Sequence, residues 1–109
     1  MKLAIIGSRG LHVEDLSQYV SENVTEIVSG GAKGIDSDAE AYAKANNIKL
    51  TVFKPDYESY KRGEPIVRNK LIVDCADEVL AFWDGNSKGT LSVIEYCRKQ
   101  GKKITVISK

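Results

Sequence analysis

Residues 26–36 read Glu-Ile-Val-Ser-Gly-Gly-Ala-Lys-Gly-Ile-Asp, an apolar run that leads through three glycines into a helical pattern. The apolar run predicts a strand from Glu26 to Val28, and apolar residues recur at helical spacing from Ile35 onward. Asp36 and Asp38 place negative charge in the first helical turn, where the helix dipole favours it. The stretch therefore predicts a strand, a glycine turn and a helix, which is the unit of a layered α/β protein.

The same unit recurs along the chain. Other short apolar runs predict four more strands: Leu3 to Ile6, Leu50 to Phe53, Glu78 to Phe82 and Lys103 to Ile107. These runs are apolar throughout, which is typical of a parallel sheet covered on both faces. Helical stripes predict helices in the other crossovers: Val13, Leu16 and Val20; Val67, Leu71 and Cys75; Leu91, Ile94 and Cys97. Right-handed crossovers would then bring every strand-to-helix loop to the carboxyl edge of the sheet.

Composition indicates one globular domain over residues 1–109. The chain is 42% hydrophobic and 28% charged, which suffices for a core without disulfides or a structural metal. Its net charge of +1 lacks the basic excess of a nucleic-acid-binding protein. The N-terminus enters a strand pattern directly, and no apolar run approaches the length of a membrane span. We therefore expect a cytoplasmic protein without membrane contact.

Cysteine and histidine usage predicts neither a metal nor a redox site. Cys75 and Cys97 form no C-x-x-C pair and lie in apolar helical patterns, so we predict reduced core thiols. His12 is the one histidine, which excludes a multi-histidine metal site, and we expect it at the surface or in a capping role. We predict no cofactor, because the sequence carries neither a Walker A loop nor the G-x-G-x-x-G dinucleotide fingerprint.

Three of the four strand-to-helix turns have the composition of a phosphate cradle. They are Gly7-Ser8-Arg9-Gly10, Ser29-Gly30-Gly31-Ala32-Lys33-Gly34-Ile35-Asp36 and Asp84-Gly85-Asn86-Ser87-Lys88-Gly89-Thr90. Glycine lets the backbone approach an anion closely, and a helix N-terminus offers it N–H groups and positive potential. Each turn alone is also typical of ordinary loop chemistry. Three on one sheet edge predict an anion-binding site.

Other candidate residues have two interpretations each. Arg68 and Asn69, near the start of the third crossover helix, face either the site or solvent. Trp83 ends the fourth strand, where its ring either stacks on a base or plugs the core beneath the loop. Asp36 and Asp84 are either reactive acids or, respectively, a helix-dipole partner and a turn residue.

These blocks resemble the SLOG superfamily, in particular its small YspA-like branch. The superfamily includes the cytokinin-activating "Lonely guy" phosphoribohydrolases and the DNA-processing protein A family. The matching elements are Gly7-Ser8-Arg9, the block from Ser29 to Asp36, Arg68-Asn69, Phe82-Trp83-Asp84-Gly85, Ser87, Gly89 and Thr90. The resemblance implies a single-domain, Rossmann-like three-layer sandwich whose five parallel strands have the order 3-2-1-4-5. It also implies a nucleotide or nucleotide-derived ligand at the carboxyl edge, with Arg68 and Asn69 in contact with it, and allows a homodimer.

One departure from the phosphoribohydrolases leaves catalysis open. Those enzymes resemble one another in a P-G-G-x-G-T-x-x-E stretch, whereas here the first acid after Thr90 is Glu95, five residues on. Glu95 would lie about 200° around the helix from the required position, and about 3 Å further along it.

Three hypotheses follow for the function. The first is a nucleotide-ligand sensor or binding module, and the second is an N-glycosidase acting on nucleoside 5′-monophosphates. In the first, Gly30, Gly31 and Gly34 cradle phosphate, Arg9 and Arg68 neutralise it, and Thr90 donates a hydroxyl. The third is a single-stranded DNA-binding module, against which the near-neutral charge argues.

Overall fold

The described part of the chain contains one sheet of five parallel strands in the order β3-β2-β1-β4-β5. This computed structural model describes residues 1–8, 10–31, 34–53 and 64–108, with the helical backbone alone for 64–68. The strands are β1 (Lys2–Gly7), β2 (Glu26–Ser29), β3 (Lys49–Val52), β4 (Glu78–Trp83) and β5 (Lys103–Ser108). The α-helices are α1 (Ile35–Ala45), α2 (Glu64–Cys75) and α3 (Lys88–Gln100). The predicted α/β class, parallel pairing and strand order are confirmed.

Two hydrophobic clusters cover the two faces of the sheet. Along β1, Leu3 and Ile5 belong to one cluster and Ala4 and Ile6 to the other, because successive side chains of a strand point to opposite faces. The Leu3 cluster contains the buried stripe of α1, namely Ile35, Ala39 and Ala43. The Ala4 cluster contains residues of α2 and α3, namely Ile72, Val73, Val93, Ile94 and Cys97. The sheet therefore has helices on both faces, as the apolar strands predicted.

The first crossover differs from the prediction, since its described residues, 8 and 10–25, contain no α-helix. Its helical part is a 3-10 helix, Leu16–Gln18, whose N-cap is Asp15. The Asp15 carboxylate accepts from the backbone N–H and the hydroxyl of Ser17, and such local side-chain bonds compete with the α-helical pattern. Val13 and Leu16 are nevertheless buried against the sheet, as the apolar stripe indicated.

Both cysteines lie in α-helices. Cys97 is fully buried in α3 and Cys75 is half-buried in α2, and neither forms a disulfide. Burial raises the pKa of the Cys97 thiol, with Lys102 acting weakly in the opposite direction. Within the described ranges, no helix is long and apolar enough to cross a membrane.

Candidate functional site at the carboxyl edge of the sheet

The topology brings the three glycine turns to one edge. β1 ends at Gly7 and pairs with β2, which ends at Ser29, and with β4, which ends at Trp83. Because all three strands are parallel, their carboxyl ends meet at the same edge. α1 and α3 also begin there, so two helix N-termini adjoin the edge. Arg9, Ala32 and Lys33, and the side chain of Arg68, lie outside the described residues, so their predicted roles stay predictions.

Ser8 ties the first turn to the end of β4. Its backbone N–H donates to the carbonyl oxygen of Phe82 at 3.1 Å, and its hydroxyl accepts from the N–H of Asp84 at 3.4 Å. The Ser8 side chain is buried. Its hydroxyl therefore joins the first and third turns, which fixes their relative position at the edge.

Gly7 makes room for the start of α1. A Cβ atom at Gly7 would lie 2.7 Å from Cβ and 2.9 Å from Cγ2 of Ile35, the first residue of α1. Real Cβ contacts are not this short, so only glycine lets the helix N-terminus approach β1 so closely. The glycine predicted for close approach to a ligand thus serves close packing of helix against strand.

The Ser29 hydroxyl closes the second turn. It accepts from the N–H of Gly31 at 3.4 Å and donates to the carbonyl oxygen of Asp36 at 3.3 Å, so one fully buried hydroxyl joins both ends of the turn. Gly31 and Gly34 have φ angles of 70° and 74°, a region that favours glycine. The Ser29 hydroxyl thus connects the two ends of the turn, and Gly31 and Gly34 adopt a conformation that other residue types rarely adopt.

α1 begins without a side-chain cap. Gly34 is its N-cap and provides no side-chain hydrogen bond to the first turn. The turn instead contains Asp36, whose side chain is buried, and Asp38, which is half-buried. The N-cap side chain thus accepts from none of the backbone N–H groups of this turn, and N–H groups at a helix N-terminus can bind an anion.

The third turn is closed by its own side chains. Asp84 Oδ1 accepts from the N–H groups of Asn86 and Ser87, each at 2.8 Å, and these hydrogen bonds hold the pKa of Asp84 below its ordinary value. Asp84 is therefore an ionised turn residue, which does not suit it to donate a proton. The Ser87 hydroxyl caps α3 by accepting from the N–H of Thr90 at 3.3 Å, and it also donates to Oγ1 of Thr90 at 3.2 Å.

Trp83 supports this turn from below. Its indole Nε1–H donates to the carbonyl oxygen of Ser87 at 3.1 Å, and its half-buried ring packs against the Ala4 cluster. These contacts favour the plug over the stacking platform. Gly89 is exposed, and a Cβ atom there would meet nothing within 4 Å, so packing does not require this glycine. Asn69 is half-buried in α2.

A histidine–aspartate pair lies at the same edge, and the sequence pattern did not indicate it. His12 is exposed, as predicted, and its Nδ1 lies 3.2 Å from Oδ2 of Asp38 in the first turn of α1. The two residues are far apart in sequence, and Asp38 was expected only to complement the helix dipole. Throughout the described ranges, no group of three or more His, Cys, Asp or Glu side chains is arranged to hold a metal ion.

The fold and edge define a Rossmann-like α/β protein with glycine turns at its carboxyl edge. The model of the YAcAr family, described as the YspA, cpYpsA-related SLOG family, matches residues 1–60, and the chain belongs to this family. The matched part contains β1, the first two glycine turns, α1 and β3. No curated protein and no solved structure shows significant similarity to the chain. SLOG membership indicates a nucleotide-related binding or processing role.

Proposed function

We propose that the chain binds a nucleotide or nucleotide-derived phosphorylated ligand at the carboxyl edge and acts as a sensor or binding module. The phosphate would lie on the second turn, against the N-terminus of α1. The observation that carries this proposal is that α1 begins at a glycine without a side-chain cap, whereas Ser87 caps α3. A capped N-terminus has already used part of its hydrogen-bonding capacity, and the N-cap of α1 uses none, so we place the phosphate at α1 despite the negative charge of Asp36 and Asp38 in its first turn.

The geometry of the second turn supports the same placement. Gly31 and Gly34 have positive φ angles, and Gly31 is partly exposed at the edge while Gly30 and Gly34 are buried. Successive N–H groups of such a turn can form a concave anion site. Because the Ser29 hydroxyl braces the turn from beneath, the site would need little rearrangement to accept a phosphate.

Fixed positive charge completes the proposed site. A phosphate dianion loses hydration when it binds, and a guanidinium offsets this loss by donating two hydrogen bonds at once. We assign this part to Arg9 and Arg68, with Asn69 as a polar contact. The proposal no longer needs the Thr90 hydroxyl, because that side chain is buried and bonded to Ser87.

The arrangement of α3 argues against an N-glycosidase. In the phosphoribohydrolase motif the glutamate follows threonine by three residues, and in this chain that position is Val93. Val93 is 3% exposed and belongs to the Ala4 cluster, while Glu95 is exposed to solvent. The position that matches the motif therefore has no carboxylate, and that of Glu95 is exposed to solvent. For DNA binding, the net charge of +1 gives little electrostatic support.

A thermal-shift screen with nucleoside mono-, di- and triphosphates, cyclic nucleotides and ADP-ribose tests the proposal. A ligand present at 100 times its Kd adds about 2.7 kcal/mol to the free energy of unfolding. For a domain of this size, that raises the melting temperature by about 10 to 20 °C. If no compound raises it, nucleotide binding is refuted. Release of free base from a stabilising nucleotide would instead identify the N-glycosidase.

Two serine variants then locate the phosphate. Ser29→Ala removes the brace of the second turn and should weaken ligand binding about tenfold, the effect of one lost hydrogen bond of about 1.4 kcal/mol. Ser87→Ala removes the α3 cap and should lower stability by about 1 kcal/mol while leaving affinity unchanged. The opposite ranking of affinities would place the phosphate at α3.

The Arg68 variants test the fixed charge. Arg68→Ala should weaken binding by about 2 kcal/mol, and Arg68→Lys should not restore it, because an ammonium cannot replace the planar fork of a guanidinium. Affinity can be measured by calorimetric titration with the compound that the screen identifies. Unchanged affinity in Arg68→Ala would remove this residue from the site.

A further inference from the structure

The outer edge of the sheet at β5 is open to another strand. β5 is the last strand in the order β3-β2-β1-β4-β5, and in the described part of the chain no strand lies beyond it. Its apolar residues Ile104, Val106 and Ile107 are only half-buried, whereas residues 79–82 of β4, which has a neighbour on each side, are buried. Because an edge strand also presents unpaired backbone N–H and C=O groups, β5 offers both hydrogen bonds and apolar surface.

The features that usually protect a sheet edge are largely missing from β5. Proteins commonly block an edge with a short strand, a proline or a bulge. β5 has six residues, contains no proline and pairs with β4 at six consecutive positions. Residues 104–107 are all β-branched, which favours the extended conformation. The one charge of β5 is at its first residue, Lys103, whose Nζ lies 3.4 Å from Oε1 of Glu78, so the middle of the edge is uncharged.

Charge limits the ways in which this edge can pair with a second copy of the chain. In the order β3-β2-β1-β4-β5, the first residues of the strands are Lys49, Glu26, Lys2, Glu78 and Lys103, so opposite charges alternate across the sheet. Both outermost residues are lysines. A second copy that continued the parallel sheet would place its β3 beside β5, and the two lysines would then be neighbours. Like charges in this position are destabilising, so the charges oppose this open-ended, head-to-tail assembly.

Antiparallel pairing of β5 with β5 of a second copy avoids this conflict. With Thr105 on the two-fold axis, Ile104 of each copy lies opposite Val106 of the other, and Lys103 lies opposite Ile107. Ile104 and Val106 both pack against the Ala4 cluster, so these apolar pairs form on one face of the sheet. On the other face, the aliphatic stem of lysine can cover isoleucine. The two lysines are at opposite ends of the interface.

We infer that the protein forms a two-fold symmetric dimer in which β5 of each copy pairs antiparallel with β5 of the other. The two sheets become one continuous sheet, and the self-complementary contact closes the assembly at two copies. The glycine turns follow β1, β2 and β4, whereas β5 forms the interface. The inference therefore goes beyond the proposed function and does not depend on it.

Sedimentation velocity of the parent over about 1 μM to 1 mM, the range of weak to moderate Kd values, is the first test. We expect a reversible equilibrium between monomer and dimer, without larger species. Thr105→Lys is the variant, because it places two lysines opposite each other on the two-fold axis. Thr105 is exposed in the single chain, so the variant should fold, and its melting curve verifies this. Ala45→Lys is the control: it adds the same charge at the exposed end of α1, which packs against β1, β2 and β3.

Thr105→Lys should raise the Kd of the dimer at least about tenfold, while Ala45→Lys should leave it unchanged. The effect of Thr105→Lys should shrink at about 1 M salt, where the Debye length is about 3 Å. A structural defect would not be relieved in this way.

A crosslinking experiment does not require a lysine in the strand. In a Cys75→Ser background, Thr105→Cys would place two cysteines opposite each other, with Cβ atoms about 4.5 to 5.5 Å apart. A short bis-maleimide should then yield a covalent dimer, whereas Ala45→Cys in the same background should not. Cys97 is fully buried and should not react.

Three results would overturn the inference. The first is a parent that stays monomeric up to about 1 mM. The second is a parent that forms species larger than a dimer, which would indicate head-to-tail assembly. The third is a dimer that Thr105→Lys leaves intact, which would place the interface on another surface. If Thr105→Lys does not fold, the crosslinking decides: equal yields for Thr105→Cys and Ala45→Cys would contradict pairing through β5.

Discussion

Replacement of Gly7 by alanine should strongly destabilise the fold through a single contact. The added Cβ would lie 2.7 Å from Cβ of Ile35, whereas carbon atoms in favourable contact are about 3.5 to 4.0 Å apart. Neither Cβ can move by a side-chain rotation, since both are attached directly to the backbone. The start of α1 must therefore move away from β1 by about 1 Å, the difference between these separations.

The magnitude follows from what this movement disturbs. Ile35 is fully buried in the cluster that joins α1 to the sheet. Overpacking a core costs about 1 to 3 kcal/mol, and we expect the upper end because no rotamer relieves the contact. That corresponds to a melting temperature lower by about 12 to 24 °C for a domain of this size. Urea unfolding of parent and variant measures the loss directly.

Gly10→Ala is the matched control, because it makes the same change in the same turn. A Cβ atom at Gly10 would meet nothing within 4 Å, so this variant should stay within about 0.5 kcal/mol of the parent. A second test combines Gly7→Ala with Ile35→Gly, which removes the Cβ and Cγ atoms that the added methyl group would meet, so the two losses should not add. If Gly7→Ala is as stable as Gly10→Ala, the steric explanation is refuted and Gly7 is kept for another reason.

Three further predictions concern stability and reactivity. A hydrogen bond from the Thr51 hydroxyl at 2.8 Å holds the pKa of Glu26 below its ordinary value. The ionised Glu26 therefore stabilises the fold above its unfolded-state pKa, and this stabilisation is lost as pH falls through its folded-state pKa. Glu26→Gln should therefore lower the urea midpoint at neutral pH and not in acid; an equal loss at both would contradict this. Gly89→Ala should stabilise α3 by about 0.5 kcal/mol in urea unfolding, and a simultaneous loss of nucleotide affinity would show that the ligand occupies this space. A thiol reagent should modify half-buried Cys75 well before Cys97, whose pKa is raised by burial; equal rates in the native protein would contradict the packing of α3.

The strands could be predicted because their burial leaves a simple pattern. Runs such as Leu3 to Ile6 are apolar on both faces, which only a covered parallel sheet requires. The strand order came from the family resemblance, since right-handed crossovers alone allow more than one order. Each predicted strand bound lies within one residue of the observed one, and the starts of β2, β4 and β5 coincide.

The first crossover could not be predicted by periodicity. Val13 and Leu16 have helical spacing and do lie in the core, but spacing does not reveal that Asp15 bonds locally to Ser17. A 3-10 turn buries the same residues with fewer helical hydrogen bonds. The pattern therefore predicted correctly that Val13 and Leu16 are buried. It predicted an α-helix where the described residues form a 3-10 helix.

For the candidate site, the sequence predicted where the glycine turns lie better than it predicted the role of each residue in them. Parallel topology alone brings the glycine turns to one edge. The hydroxyls of Ser8, Ser29 and Ser87 were predicted as ligand contacts, yet each makes hydrogen bonds within the protein. The Ser8 bond to Asp84 and the contact between His12 and Asp38 join residues far apart in sequence, which local residue patterns do not encode, whereas the bonds of Ser29 and Ser87 lie within single turns.

The central position of β1 has a consequence for how the protein is made. Leu3 pairs with Ile27 on one side and with Glu78 on the other, so one neighbour of β1 is synthesised long after the other. At about 5 to 20 residues per second, the second neighbour follows β1 by roughly 4 to 15 s. During this interval β1–β3 can assemble around α1, but the β4 side of β1 presents unpaired backbone groups and an apolar face. The nascent chain thus exposes an unpaired strand edge at the position that becomes the middle of the sheet. Aggregation is avoided when β4 pairs with this edge before a strand of another chain does.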